Sequence, residues 1–174
     1  MEEPKQREIK EQYILGYVGT ISEWLDNYVI EESLSINKKI CYELVGPVAN
    51  HRQILNQRVS YRGVIEHAEL GEFVNKLDCL LMPFLVNDII LYVDPVKLYE
   101  YIAWGKCIIS WYPEVERFND FVYFYHNVQE YLSLLEQLCK EGFPAKFTKE
   151  QQREFLEKNT WESRGELISQ ALET

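Results

Sequence analysis

The chain has 174 residues, 47% of them hydrophobic and 26% charged, the size and balance of one soluble globular domain. Eighteen basic residues against 28 acidic ones give a net charge of −10, which excludes non-specific nucleic-acid binding through clustered Lys and Arg. No apolar run reaches the roughly 18 uncharged residues of a membrane span, and residues 1–12, with Glu2, Glu3, Lys5, Arg7, Glu8 and Lys10, are too charged for a signal peptide. Any phosphate must therefore be held locally, against the net field. Cys41, Cys79, Cys107 and Cys139 are widely spaced inside apolar segments, without metal-ligand spacing, and read as buried free thiols of a reducing, cytoplasmic compartment.

From residue 13 onward short apolar runs alternate with helical patterns. Residues 13–18 form a buried strand closed by Gly19 and Thr20. Ser22 offers a helix cap with Glu23 and Asp26 in the first turn, predicting a helix to about residue 34. A second strand, 40–45, stops at Gly46-Pro47, and a third, 59–62, ends at Gly63. Leu70, Phe73, Val74 and Leu77 follow at the spacing of an amphipathic helix. Residues 79–84 make a fourth strand whose Pro83 places its end near a sheet rim. Asp94-Pro95 predicts a helix with Asp as cap and Pro in the first position, stopped by Gly105. Strands 108–111 and 122–125 follow, then a helix opened by Asn127 and Glu130 with Val128, Tyr131, Leu132, Leu135 and Leu138 on its inner face. From Thr148 the pattern is helical, with a restart at 159–162 ahead of Ile168 and Leu172.

Strands that are apolar runs, alternating with helices, indicate a parallel sheet covered on both faces. The expectation is an α/β fold: a Rossmann-like three-layer α/β/α domain with a mostly parallel sheet of about six strands. Residues 1–12 would be a charged linker or helix, 13–147 the core, and 148–174 carboxy-terminal helices packing back on the core or toward a partner domain. In such sheets ligands sit outside the carboxyl ends of the strands, which singles out the loops at 16–22, 46–51, 63–67 and 84–97. The last connection is longer than the usual two to six residues. The amides of Val96, Lys97 and Leu98, the helix dipole and the Lys97 ammonium suit a diphosphate. Glu100, three residues on, can accept hydrogen bonds from the two hydroxyls of a ribose. The same Lys97 and Glu100 also read as a functionally silent surface ion pair. His51, His67 and His126 are isolated and suit surface or capping roles, with His67 following the third strand's loop. Tyr92, Tyr99, Tyr101, Trp104, Trp111 and Tyr112 could stack on sugar or base, or pack in the core. Glu114 and Glu116 could face the cleft or simply be solvated.

Taken in order, Gly16-Tyr17-Val18-Gly19-Thr20, Leu44-Val45-Gly46-Pro47, Tyr61-Arg62-Gly63-Val64, the 78–84 strand and the block from Asp94 to Lys106 closely resemble the carboxy-terminal, donor-binding domain of group 1 glycosyltransferases of the GT-B fold. Glu23, Trp24 and Asp26, and Trp161 with Arg164, resemble the same family, so the likeness runs from about 13 to 172. The resemblance implies a domain that binds a UDP- or GDP-sugar. It implies that the base lies against Gly63, Val64 and Ile65 and that Glu100 takes the ribose. The phosphates would go to Val96, Lys97 and Leu98 and to Gly19 with Thr20, and Asn87 with Lys97 fits the pattern of one branch. Positions where many members carry Arg and Lys fall at Thr20 and about Leu25, and a glutamate common eight positions before Glu100 falls at Tyr92. No resident cofactor is expected, although Mg2+ could accompany the diphosphate. The catalytic residues stay unknown, because the family's catalytic base resides in an amino-terminal acceptor-binding domain. The whole enzyme would transfer a hexosyl group to a glycan or lipid-linked acceptor in bacterial polysaccharide biosynthesis. It would be cytoplasmic or peripheral at the inner membrane through that other domain, and this fragment alone would be inactive. Two rivals stay open: a non-catalytic α/β interaction module that has lost the donor site, and a sugar-nucleotide epimerase of the same architecture.

Overall fold

A computed structural model describes residues 10–85, 94–111, 115–160 and 162–163. Six strands, β1 (Tyr13–Val18), β2 (Ile40–Val45), β3 (Val59–Gly63), β4 (Cys79–Pro83), β5 (Cys107–Trp111) and β6 (Tyr123–Phe124), form one sheet in the order β3-β2-β1-β4-β5-β6. Every pairing is parallel. Between the strands run helices α1 (Asn27–Ile36), α2 (His67–Lys76) and α3 (Val96–Trp104), followed by α4 (Val128–Glu141) and α5 (Lys149–Lys158). The order is the doubly wound one, in which chain direction across the sheet reverses between β1 and β4. The expected Rossmann-like fold is therefore present. No helix among the described residues is long and apolar enough to cross a membrane.

The period-two geometry of a strand sorts its side chains into two cores. Tyr13, Leu15, Tyr17, Tyr42, Leu44, Cys79, Leu81, Cys107 and Ile109 point to one face, where Val29, Ile30 and Leu34 of α1 and Tyr131, Leu135 and Leu138 of α4 cover them. Val18, Val45, Leu80, Met82 and Ile108 point to the other, beneath Val74 of α2, Leu98, Tyr101 and Ile102 of α3 and Phe155 of α5. Unbroken apolar runs are what two buried faces require.

The helix starts show where tertiary contacts override local signals. Ser22 does not begin α1: its carbonyl accepts Leu25 N at 3.0 Å, and Ile21 N donates to Pro47 O at 2.9 Å, so 21–25 is held as a turn against the β2 loop. Asp26 caps α1 instead, its carboxylate accepting the amides of Tyr28 and Val29. At α3, Pro95 occupies the cap position and Asp94 lies outside it, its carboxylate turned to Arg117. The remaining ends follow the sequence signals. Asn127 accepts Glu130 N, Gly105 and Gly142 close α3 and α4 at φ 68° and 74°, and Thr148 with Gln151 forms a capping box. Asn159 ends α5, and the restart expected at 159–162 follows it: Thr160 Oγ1 accepts Ser163 N at 3.1 Å, and residues 162–163 are helical. Trp161, Arg164, Ile168 and Leu172 lie outside the described residues, as do Asn87, Tyr92, Tyr112 and Glu114.

Inside the α1/α4 core, Ser33 Oγ, Tyr42 Oη and Tyr131 Oη form a buried chain with links of 2.5 and 2.8 Å. Burial pushes the Tyr42 phenol well above its ordinary range. The neighbouring Tyr125 is equally buried, yet its hydroxyl has no hydrogen-bond partner among the described residues. These two tyrosines should respond oppositely to loss of one oxygen. Tyr42→Phe should destabilise the fold by about 1–3 kcal/mol, the cost of stranding a buried partner, whereas Tyr125→Phe should be neutral or stabilising. Urea unfolding of both variants decides it, and equal losses would contradict the assignment.

Candidate functional site

The reversal of strand order sets a switch point beyond the carboxyl ends of β1 and β4, where open α/β sheets take their ligands. Its floor is built from glycine turns that fit only without side chains. Gly46, at φ 136°, packs so closely on the β1 turn that a Cβ there would lie 2.0 Å from the Gly19 carbonyl oxygen. Gly19, at φ 153°, in turn leaves the space that the Lys97 stem fills: a Cβ on Gly19 would meet Lys97 Cε at 2.4 Å and Tyr17 Oη at 2.9 Å. Backbone hydrogen bonds carry the row across the sheet edge, from Gly19 N to Val45 O and from Gly46 N to Gly63 O, both 2.8 Å. Thr20 holds its place through its carbonyl, which accepts Tyr17 Oη at 2.9 Å. Burial pushes the Tyr17 phenol up to about 12, so it stays a donor.

Helix α3 brings Lys97 over that floor because its inner face is fixed. Leu98, Tyr101 and Ile102 are fully buried, and Tyr101 Oη accepts Val18 N at 3.1 Å and donates to Val18 O at 3.4 Å, tying the helix to the end of β1. On its far flank Tyr99 stacks on Phe155 at 5.5 Å, and Gln152 Nε2 donates to the carbonyls of Ile102 and Ala103. Lys97 and Glu100 occupy the remaining side, 3.8 Å apart, with Glu100 about half exposed. The ammonium thus lies across Gly19 and the carboxylate one helical turn further along.

The structure brings Gly19, Thr20, Lys97 and Glu100 together and holds Gly63, Val64 and Ile65 at the other end of the same edge. The latter end β3, two strands from β1, about 10 Å away. Val64 is 73% exposed, Ile65 is half-buried against the α2 core, and a Cβ at Gly63 would meet nothing within 4 Å among the described residues, so this end is an open apolar shelf. Val96 is exposed at the head of α3, while the buried Leu98 side chain leaves only its backbone for any ligand. Two of the three expected helix amides are already engaged, Val96 N with Asp94 O at 2.8 Å and Leu98 N with Pro95 O at 2.9 Å. The Lys97 amide has no partner among the described residues.

The aromatic candidates sort into the core. Tyr99 meets Phe118 and Phe155, Tyr101 stacks on Trp104, and Trp111 on Tyr125. His51 bonds Ser22 O through Nδ1, and burial holds its imidazole below the ordinary range. His126 pairs with Glu130, and His67 is exposed at the start of α2. One residue that the sequence does not signal is Arg117, whose guanidinium pairs with Asp94 at the head of α3 and lies over the Tyr99 and Phe118 rings. Twenty-three positions separate that ion pair, so no local pattern announces it.

No family model matches the chain. A Bacillus subtilis protein named for a role as a teichuronic acid biosynthesis glycosyltransferase, TuaH, is 26% identical over 107 residues, 58% of this chain and 27% of its own length. Among solved structures, HepE of Anabaena in complex with UDP and glucose superposes with TM-score 0.69 at 14% identity, over 94% of this chain and 49% of that one. The lipopolysaccharide outer core galactosyltransferase WaaB superposes with TM-score 0.68 at 12% identity, over 97% of this chain and 50% of that one. WaaG, a glycosyltransferase of lipopolysaccharide biosynthesis, gives 0.61 at 16% identity, over 87% and 44%. The chain thus spans about half the length of the solved structures it matches and about a quarter of TuaH. With its all-parallel doubly wound sheet, this chain has the fold of one half of a GT-B glycosyltransferase, consistent with the carboxy-terminal donor domain that its motifs resemble.

Proposed function

We propose that this chain is the donor-binding half of a glycosyltransferase and that it grips a UDP- or GDP-sugar along the glycine edge. The observation that carries the reading is the seat of Lys97 on Gly19, with Glu100 one turn on, at the sheet's switch point. In this reading the base rests on the apolar shelf of Gly63, Val64 and Ile65. Glu100 accepts the ribose hydroxyls, and the Lys97 ammonium and amide meet the diphosphate, with which Mg2+ would travel. The other helix start at the switch point does not compete. Asp26 already supplies the anion there, its carboxylate occupying the α1 amides that a dinucleotide-binding Rossmann domain would offer to pyrophosphate.

The second half of the proposal concerns the acceptor. Of eight exposed large hydrophobics among the described residues, Trp24, Tyr28, Val48, Val64, Leu85 and Val96 lie at or just beyond carboxyl ends of strands or at adjoining helix starts, whereas Ile36 ends α1 and Leu55 precedes β3. An apolar rim around a polar floor suits a surface covered by another domain. That domain would hold a glycan or lipid-linked acceptor for hexosyl transfer. The relatives' names, tied to teichuronic acid and lipopolysaccharide biosynthesis, support a polysaccharide setting.

Calorimetry with UDP, UMP and uridine tests the grip. Glu100→Ala should weaken all three by about 1.5–3 kcal/mol, the range for a hydrogen bond to a charged group, with a stability change below about 0.5 kcal/mol. Lys97→Ala should weaken UDP more than UMP and leave uridine nearly unchanged. A wild-type chain that binds none of them would favour the interaction-module reading.

Donor and acceptor held in near-attack geometry contribute about 7–11 kcal/mol to transfer, and the donor half supplies one partner only. The isolated chain should bind nucleotide with Kd of about 0.1–1 mM, near −5 kcal/mol, and transfer nothing. A coupled nucleotide-release assay with a sugar-nucleotide panel and candidate glycans checks this. Acceptor-dependent release by the chain alone would show that the active site is already complete in it.

A further inference from the structure

Among the described residues near the carboxyl edge, cations come with partners of opposite charge: Arg52 with Glu31, Arg62 with Glu43, Lys97 with Glu100, and Arg117 with Asp94. The last pair stands apart in its position. Asp94 sits three residues before Lys97, within about 10 Å along the chain, so its carboxylate adds negative charge where an anionic ligand would approach the head of α3. Its carbonyl also closes the first turn by accepting Val96 N at 2.8 Å. Arg117 meets that carboxylate at 2.5 Å. Its guanidinium is held in place from beneath, 5.0 Å from the Phe118 ring centre and 5.8 Å from that of Tyr99, a residue of α3 itself. The residue is supplied by a 3-10 turn (Glu116–Phe118) that follows β5 and is anchored by the fully buried Phe118.

We infer that Arg117 is a positioning residue for diphosphate recognition: it cancels the Asp94 charge at the head of α3, which would otherwise join that of Glu100 in offsetting Lys97 and repelling the ligand. The inference rests on the donor-binding reading above. Arg117 acts here through Asp94. It lies on the Tyr99 flank of the helix, whereas Lys97 lies on the flank facing Gly19, so the two cations work from opposite sides of one helix start. In a chain of net charge −10, further negative charge at that point would oppose binding. The effect is Coulombic over a distance close to the Debye length of about 8 Å at physiological salt, so it is modest and salt-sensitive.

The test is a cycle of wild type, Arg117→Gln, Asp94→Asn and the double variant, titrated with UDP and with uridine at low and high salt. Glutamine keeps a planar group over the two rings while removing the charge. Arg117→Gln should weaken UDP by about 3–10-fold at low salt, less at high salt, and leave uridine unchanged. Asp94→Asn in the Arg117→Gln background should restore UDP binding to within about two-fold of wild type. A double variant that stays as weak as Arg117→Gln would overturn the inference, because Arg117 would then touch the phosphate directly or serve only packing. Equal losses for UDP and uridine would overturn it as well. A wild-type chain that binds neither ligand would defeat the donor-binding reading, and this inference with it, whereas UDP binding indifferent to Arg117 would defeat this inference alone.

Discussion

A contact between two pieces of main chain governs the carboxyl edge of this protein. Where β2 turns at Gly46 it comes so near the β1 turn that no side chain fits between them, and the carbonyl of Gly19 occupies the space a methyl group would need. Closing that gap aligns the turns of β1, β2 and β3 through direct backbone hydrogen bonds. The floor is thereby made of peptide groups rather than flexible side chains. A lysine lying on such a floor meets little steric competition, and its stem rests on the Gly19 turn while its ammonium stays partly in water.

Buried phenols serve both that edge, through Tyr17 and Tyr101, and the core beneath α1 and α4, through Tyr42 and Tyr131. Tyr17, Tyr42, Tyr101 and Tyr131 all sit beneath the surface with their hydroxyls engaged, and burial holds the phenols above their ordinary range. Tyr101 does the most structural work, since one hydroxyl takes both polar groups of Val18 just where β1 would otherwise leave them unpaired. A phenylalanine at that position would fill the volume and orphan the strand end. Aromatic bulk and a single terminal hydroxyl together let a helix be docked to a strand by both apolar and polar means.

Much of this was legible in the residues. The apolar runs at 13–18, 40–45 and 79–84 announced a two-sided sheet, and Gly105, Asn127 and Thr148 each mark the helix ends they occupy. The block from Lys97 to Glu100 was visible because both residues lie on one short helix, where spacing in sequence equals spacing in space. Ser22 misled because a cap residue is defined by what its carbonyl and side chain do, and here the β2 loop claims the segment first. Asp94 misled for a similar reason: Arg117 claims its carboxylate. The partnership of Gly19 with Gly46 and with Lys97 was beyond sequence reasoning altogether, since it depends on the strand order that places β2 and β4 on either side of β1.

Helix α5 is polar over most of its length and separated from the sheet by the 142–148 connection. Its Gln152 amide nevertheless satisfies the last carbonyls of α3, and its Phe155 lies among Tyr99, Phe118 and Phe121. The helix that carries Lys97 is therefore held from two directions, by the end of β1 through Tyr101 and by this late segment at its tail. During synthesis the helix that carries Lys97 is not clasped until residues 152 and 155 have left the ribosome, well after that helix itself has been made.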